Sequence, residues 1–126
     1  MEFFKFINVH TTQEQIQENV NFENLNNLCA SIFVMNFTNS IANIGGIWGE
    51  FSLQKDIING GLRFSLLECP NALTFTLTTG FQPKSDQITL HLTVNRIELK
   101  PTFIEEIEEF INDWEAGILK LFPKFN

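Results

Sequence analysis

Across residues 47–95 one pattern recurs: apolar and polar residues alternate in short runs separated by turn-forming residues. A period of two is the spacing of a strand whose successive side chains reach opposite faces of a sheet. Ile47, Phe51 and Leu53 alternate with Trp48, Glu50 and Ser52. Leu62, Phe64 and Leu66 alternate with Arg63 and Ser65. Leu73, Phe75 and Leu77 alternate with Thr74, Thr76 and Thr78, and Ile88, Leu90, Leu92 and Val94 with Thr89, His91, Thr93 and Asn95. Asn59-Gly60-Gly61 between two runs tolerates the positive φ of a tight hairpin. Cys69-Pro70-Asn71 marks the next turn, and residues 80–86, with Pro83, a longer one. Four strands on short turns, each apolar on one face only, specify an antiparallel meander. A parallel sheet would be apolar on both faces and would need crossover helices.

The apolar face of such a sheet needs a cover, and the C-terminal segment supplies one. Phe103, Ile104, Ile107, Phe110, Ile111, Trp114, Ile118 and Leu121 follow a helical stripe. Thr102 and Glu105 have the spacing of a capping box, which starts the helix there, and Pro123 ends it. Glu105, Glu106, Glu108, Glu109 and Glu115 mostly occupy the opposite side. Gly117, beside Trp114 and Leu121, would let the helix approach a strand closely, at about 1 kcal/mol of helix propensity.

The N-terminal third reads less evenly. Residues 2–9 alternate loosely and form a strand. Thr11 and Glu14 have capping-box spacing, so a helix is expected from Thr11, with a break or second cap near Asn21. Residues 31–38 are β-branched and aromatic enough for a strand, but they continue the period of Leu25, Leu28, Cys29, Ile32 and Phe33. The expectation leans towards helix into the low thirties. The fold class expected is α+β: an antiparallel meander of four to six strands against a long amphipathic C-terminal helix, with an N-terminal strand and helix, all in one domain over residues 1–126.

Composition narrows the function classes. Of 126 residues, 44% are hydrophobic and 18% charged, enough for a core and too little charge for disorder. The 14 Phe against no Tyr favour packing over polar recognition. A net charge of −7 argues against nucleic acid and anionic membranes as partners and suits a basic protein partner. Cys29 and Cys69 form no disulfide framework and read as two buried thiols in a reducing compartment. The N-terminal run lacks a basic region and a cleavage site, and no apolar run approaches the roughly 18 residues of a membrane span. A cytoplasmic location is expected.

Chemistry-bearing motifs are sparse. His10, His91, Cys29 and Cys69 have no zinc-site spacing, so no metal or cofactor is expected. There is no Gly-x-Ser-x-Gly elbow and no redox or protease cysteine signature. Gly45-Gly46-Ile47-Trp48-Gly49 leads into a strand, whereas a phosphate cradle leads into a helix, so it reads as a turn and a bulge. Three surfaces remain as candidates for binding. One is the acidic run Glu105, Glu106, Glu108 and Glu109. The second is Trp48, placed by alternation on the polar face of its strand, where it is either covered or available to a partner. The third is the sheet face of Arg63, Thr74, Thr76, Thr78, Thr89, His91 and Thr93, open to solvent, a ligand or a second copy of the chain.

These features point to a small acidic, non-enzymatic protein-interaction module of inhibitor, immunity, antagonist or adaptor type. It would bind its partner through the acidic helix face or the open sheet face, and the sheet face would also suit a homodimer. An alternative comes from element order. Strand, helices, antiparallel meander and a closing helix carrying Trp114-x-x-x-Ile118-x-x-Leu121 resemble the helix-grip fold of START and Bet v 1-like proteins. That resemblance implies a carrier or enzyme of hydrophobic small molecules.

Overall fold

The computed structural model describes residues 1–79 and 86–122. Its elements run β1 (Glu2–Ile7), α1 (Gln13–Asn19), α2 (Leu25–Leu28), β2 (Ile32–Phe37), β3 (Ile41–Gly46), β4 (Gly49–Ile58), β5 (Gly61–Leu66), β6 (Thr74–Thr78), β7 (Ile88–Thr93) and α3 (Pro101–Leu121). Among the described residues, seven strands form one antiparallel sheet in the order β1-β7-β6-β5-β4-β3-β2. Strands β2 to β7 are a continuous meander, and β1 closes onto β7. The α+β class and the element order are those the sequence indicated. The sheet has seven strands where four to six were expected, because β2 and β3 do not alternate cleanly.

The turns follow their residues. Asn59-Gly60 links β4 to β5, with Gly60 at φ 89°, and Ile58 pairs with Gly61 across it. The Cys69-Pro70-Asn71 turn links β5 to β6 between Glu68 and Ala72, two non-glycine residues at φ 60° and 48°. Most of the turn expected over residues 80–86, and the stop at Pro123, lie outside the described residues.

Several local expectations are corrected. Residues 32–37 are strand, not helix. The helical period of the preceding segment ends at α2, whose C-cap is Cys29. Chain reversal through α1 and α2 uses paired side chains: the Asn24 side chain accepts from the Asn21 amide, and the Asn21 side chain from the Asn24 amide, both at 3.1 Å. The break near Asn21 is present, with Asn24 as the cap position. The N-cap of α1 is Thr12 rather than Thr11. Thr12 has extended backbone and its hydroxyl accepts from the Gln15 amide at 3.2 Å, whereas Thr11 is buried and donates to the Thr12 carbonyl. Helix α3 begins at Pro101 with Lys100 as N-cap and no capping side chain, so the Thr102–Glu105 box does not form. Proline at the first turn fixes a helical φ and lacks only an amide that would have no helical partner.

Helix α3 lies across the apolar face of the sheet, its backbone coming nearest α2 and β1. Lys5 of β1 and Glu115 pair at 3.5 Å, and the Ser31 hydroxyl donates to the Asp113 carboxylate. Ile107, Phe110, Ile111, Trp114, Gly117 and Ile118 are buried, while Leu121 at the end of the expected stripe is exposed. Gly117 does allow a close approach, but to the Leu28 carbonyl at the end of α2 and not to a strand. The space between helix and sheet is filled by rings. Phe75 meets Phe110 edge-on at 5.4 Å, and Trp114 sits 5.9 Å from Phe64 and 5.4 Å from Phe75. At the far end of the sheet, α1 clamps the β4–β5 turn. The Gln13 side chain accepts from the Gly60 amide, and Gln17 donates to the Ile58 and Gly61 carbonyls. Among the described residues no helix is long and apolar enough to cross a membrane.

Candidate functional site

The glycine-rich stretch builds an irregular corner of the sheet. Gly46 pairs with Gly49 and leaves Ile47-Trp48 as a two-residue turn between β3 and β4, with Gly49 at φ 105°. A Cβ on Gly46 would collide with the Ser31 carbonyl, and the exposed Phe33 ring lies over Gly45. The expected turn is therefore real, while the bulge sits in β2, between Val34 and Asn36. Trp48 is not on the polar face of a strand. It reaches from the turn to α3, meeting Phe103 edge-on at 5.7 Å and Phe110 at 5.2 Å. Reading residues 47–53 as one strand carried the alternation back through a turn, where it does not hold.

Trp48 also lines a cleft between α3 and the strands. Its walls are Ile44, Phe51, Leu53, Leu66, Phe75 and Phe110, with Ser31 just before β2 and Ile32 at its start. Counting its open mouth, the cleft holds about 320 Å³ of space between atoms, of which about 20 Å³ would admit the centre of a water molecule. That free room is about one water. No charged side chain is among the lining residues. The Trp48 indole nitrogen is buried and has no hydrogen-bond partner, as is also true of Trp114. Asn71, Arg96, Glu98, Lys100 and Phe103, the last in contact with Trp48, line a more open groove, where Arg96 donates to the Asn71 side chain at 2.7 Å.

The other sequence candidates fall on two opposite sides of the molecule. Arg63, Thr74, Thr76, Thr78, Thr89, His91 and Thr93 do share the face of the sheet turned away from α3. Register places Thr78 against Thr89, Thr76 against His91 and Thr74 against Thr93, with Arg63 beside Thr76. Arg63 pairs with Asp56 at 3.6 Å. His91 stacks on Phe4 at 4.3 Å and meets the Glu2 carboxylate at 3.1 Å. Phe4 and Phe6, which the sequence reading did not single out, are on this face and more than half exposed. Glu105, Glu108 and Glu109 are exposed on α3, while Glu106 is half-buried. The structure does not bring the acidic run and the threonine face together.

Cys29 is buried, as expected, but Cys69 is only half-buried. Burial pushes the Cys29 thiol up from about 9 to about 12, its Sγ facing the Phe110 carbonyl at 3.9 Å. The unfolded thiol ionises first as pH rises, so this group's contribution to stability is complete below about pH 9 and is lost between about 9 and 12. Urea midpoints measured from pH 8 to 10.5 should fall more steeply for the wild type than for Cys29→Ala. Equal slopes would show that Cys29 ionises in the folded chain. Among the described residues no three His, Cys, Asp or Glu side chains gather as a metal site.

Two solved structures share this architecture. The protein XoxI from Bacillus cereus superposes with a TM-score of 0.62 at 12% identity, over 96% of this chain and 94% of its own. A Bacillus thuringiensis protein superposes with a TM-score of 0.60 at 11% identity, over 94% of this chain and 99% of its own. At these identities the likeness is one of fold. No protein-family model matches the chain, and no curated protein matches it.

Proposed function

We propose that this chain is a helix-grip-like binder of a hydrophobic small molecule, seated between α3 and the sheet behind the Trp48 turn. The observation that carries the reading is the cleft itself: an apolar recess lined by strand and helix residues and by one large aromatic side chain on a two-residue turn. Small-molecule sites are concave and mostly apolar, with volumes of roughly 300–1,000 Å³. The closed cleft, with free room for about one water, falls far below that range, so occupancy requires it to open, with the Trp48 ring leaving Phe103 and Phe110. The alternative of a protein-interaction module rests on charge and exposure, which solubility alone also explains.

The test is titration with Nile red, an uncharged apolar dye whose emission shifts to the blue in apolar surroundings. Wild type should saturate at one dye per chain. Leu66→Trp, which places a second indole in the cleft, should weaken binding by about tenfold or more, the equivalent of ~1.4 kcal/mol, while far-ultraviolet circular dichroism stays unchanged. Absence of saturable binding to the wild type overturns the reading.

A further inference from the structure

We infer that the indole N–H of Trp48 is the polar recognition group of this cleft, and that the ligand is a neutral apolar molecule carrying a carbonyl-type oxygen acceptor. The inference rests on the binder reading above and specifies its chemistry. Two of the residues lining the cleft, Ser31 and Trp48, carry a polar side-chain atom. The Ser31 hydroxyl gives its hydrogen to Asp113 and so has none to donate to a ligand. The indole nitrogen is shut off from solvent and has no partner.

Tryptophan N–H groups ordinarily find an acceptor when buried, because an unmet buried donor costs its full desolvation. Here the acceptor is missing at the edge of a cleft whose walls are carbon, so an incoming molecule is the group that can supply it. The chemistry of the walls then selects the acceptor. An ionised carboxylate would be buried with no cation among the lining side chains. A ligand O–H would add a donor whose one side-chain acceptor in the lining is the Ser31 oxygen, already tied to Asp113 through its hydrogen. A ketone, aldehyde or ester oxygen meets the N–H and brings no donor of its own. The turn is built to present the ring: Gly49 has open space where a Cβ would stand, and only two residues separate the strands. A swing of the turn withdraws the indole from Phe103 and Phe110, and its return closes it over the ligand with the N–H inward.

The experiment compares 2-acetylnaphthalene with 2-ethylnaphthalene, matched probes that differ by one carbonyl, each displacing Nile red from the full chain. For wild type the ketone should bind about five- to tenfold more tightly, the worth of one hydrogen bond. Trp48→Phe keeps an aromatic stopper without the donor and should bind the two probes equally. Because a variant at this turn could alter folding, the wild type supplies a second reading. Of its two indole ¹⁵N–¹H signals, that of Trp48 should move downfield with the ketone and stay in place with the hydrocarbon. Equal affinities in wild type, a preference that survives in Trp48→Phe, a shift confined to Trp114, or Nile red binding that neither probe displaces would each overturn the inference and leave the binder reading standing. Failure of Nile red itself to bind would overturn both.

Discussion

Gly117→Ala should lower the unfolding free energy by about 2–4 kcal/mol, although alanine is the better helix former by roughly 1 kcal/mol. The sign is set by the neighbour. A Cβ on Gly117 would overlap the Leu28 carbonyl oxygen and its carbon. Both are backbone atoms at the C-terminal end of α2, so no side-chain rotation relieves the contact. Either α3 lifts away or α2 moves, and α2 has four residues with Leu25 and Leu28 buried beneath it. Lifting α3 would also disturb the bond from Ser31 to Asp113 and the seat of the Cys29 thiol near Phe110. Urea unfolding followed by helix dichroism measures the change directly. An unchanged or stabilised variant would show that α2 does not pack on α3 at this point. The consequence reaches function, because the pose of α3 sets the cleft: Phe110, one wall of it, lies two turns before Gly117 on the same helix.

How much of this was legible depended on whether a residue's role was local. Strands β5, β6 and β7 alternate because one face meets rings and the other meets water, and each was readable. The Asn59-Gly60 turn was readable because its backbone conformation demands those residues. Strands β2 and β3 were not, since Gly45 and Gly46 are there for the Phe33 ring and the Ser31 carbonyl, partners that lie more than ten residues away in sequence. A glycine placed for a tertiary contact carries no period. Bulging between Val34 and Asn36 then disrupts the alternation of β2 as well. Thr11 and Thr102 failed as caps because capping-box spacing says nothing about burial: Thr11 is enclosed, and the helix at Thr102 begins one residue earlier on proline. The threonine face was legible in full as a surface, and its exposed companions Phe4 and Phe6 were not, since a loosely alternating strand does not announce which side the sheet turns to water. The cleft was the least legible feature. Trp48 drew notice as a large aromatic out of place, but its partners Phe103 and Phe110 are more than fifty residues away, and only the folded turn brings them together.

The second large effect concerns Trp114, and it separates ring volume from polar cost. The side chain is fully buried among Phe64, Phe75 and Phe110, so Trp114→Ala should cost about 3–5 kcal/mol. Against a total stability on the order of 5–15 kcal/mol, that leaves a marginal or largely unfolded chain. Trp114→Phe should behave differently. It loses part of the ring volume, but it also removes an indole N–H that is buried without an acceptor, a group worth about 1–3 kcal/mol of desolvation when unmet. The two contributions oppose each other, so the phenylalanine variant should unfold within about 1 kcal/mol of wild type. Paired urea titrations of the two variants decide the matter. A cost for Trp114→Phe close to that of Trp114→Ala would mean that the indole nitrogen has an acceptor in solution, such as an enclosed water, and that the interior is more polar than its walls imply. A near-neutral result would confirm a dry aromatic interior, in which the free donor of Trp48 at the mouth has no acceptor within the protein to compete with an arriving ligand.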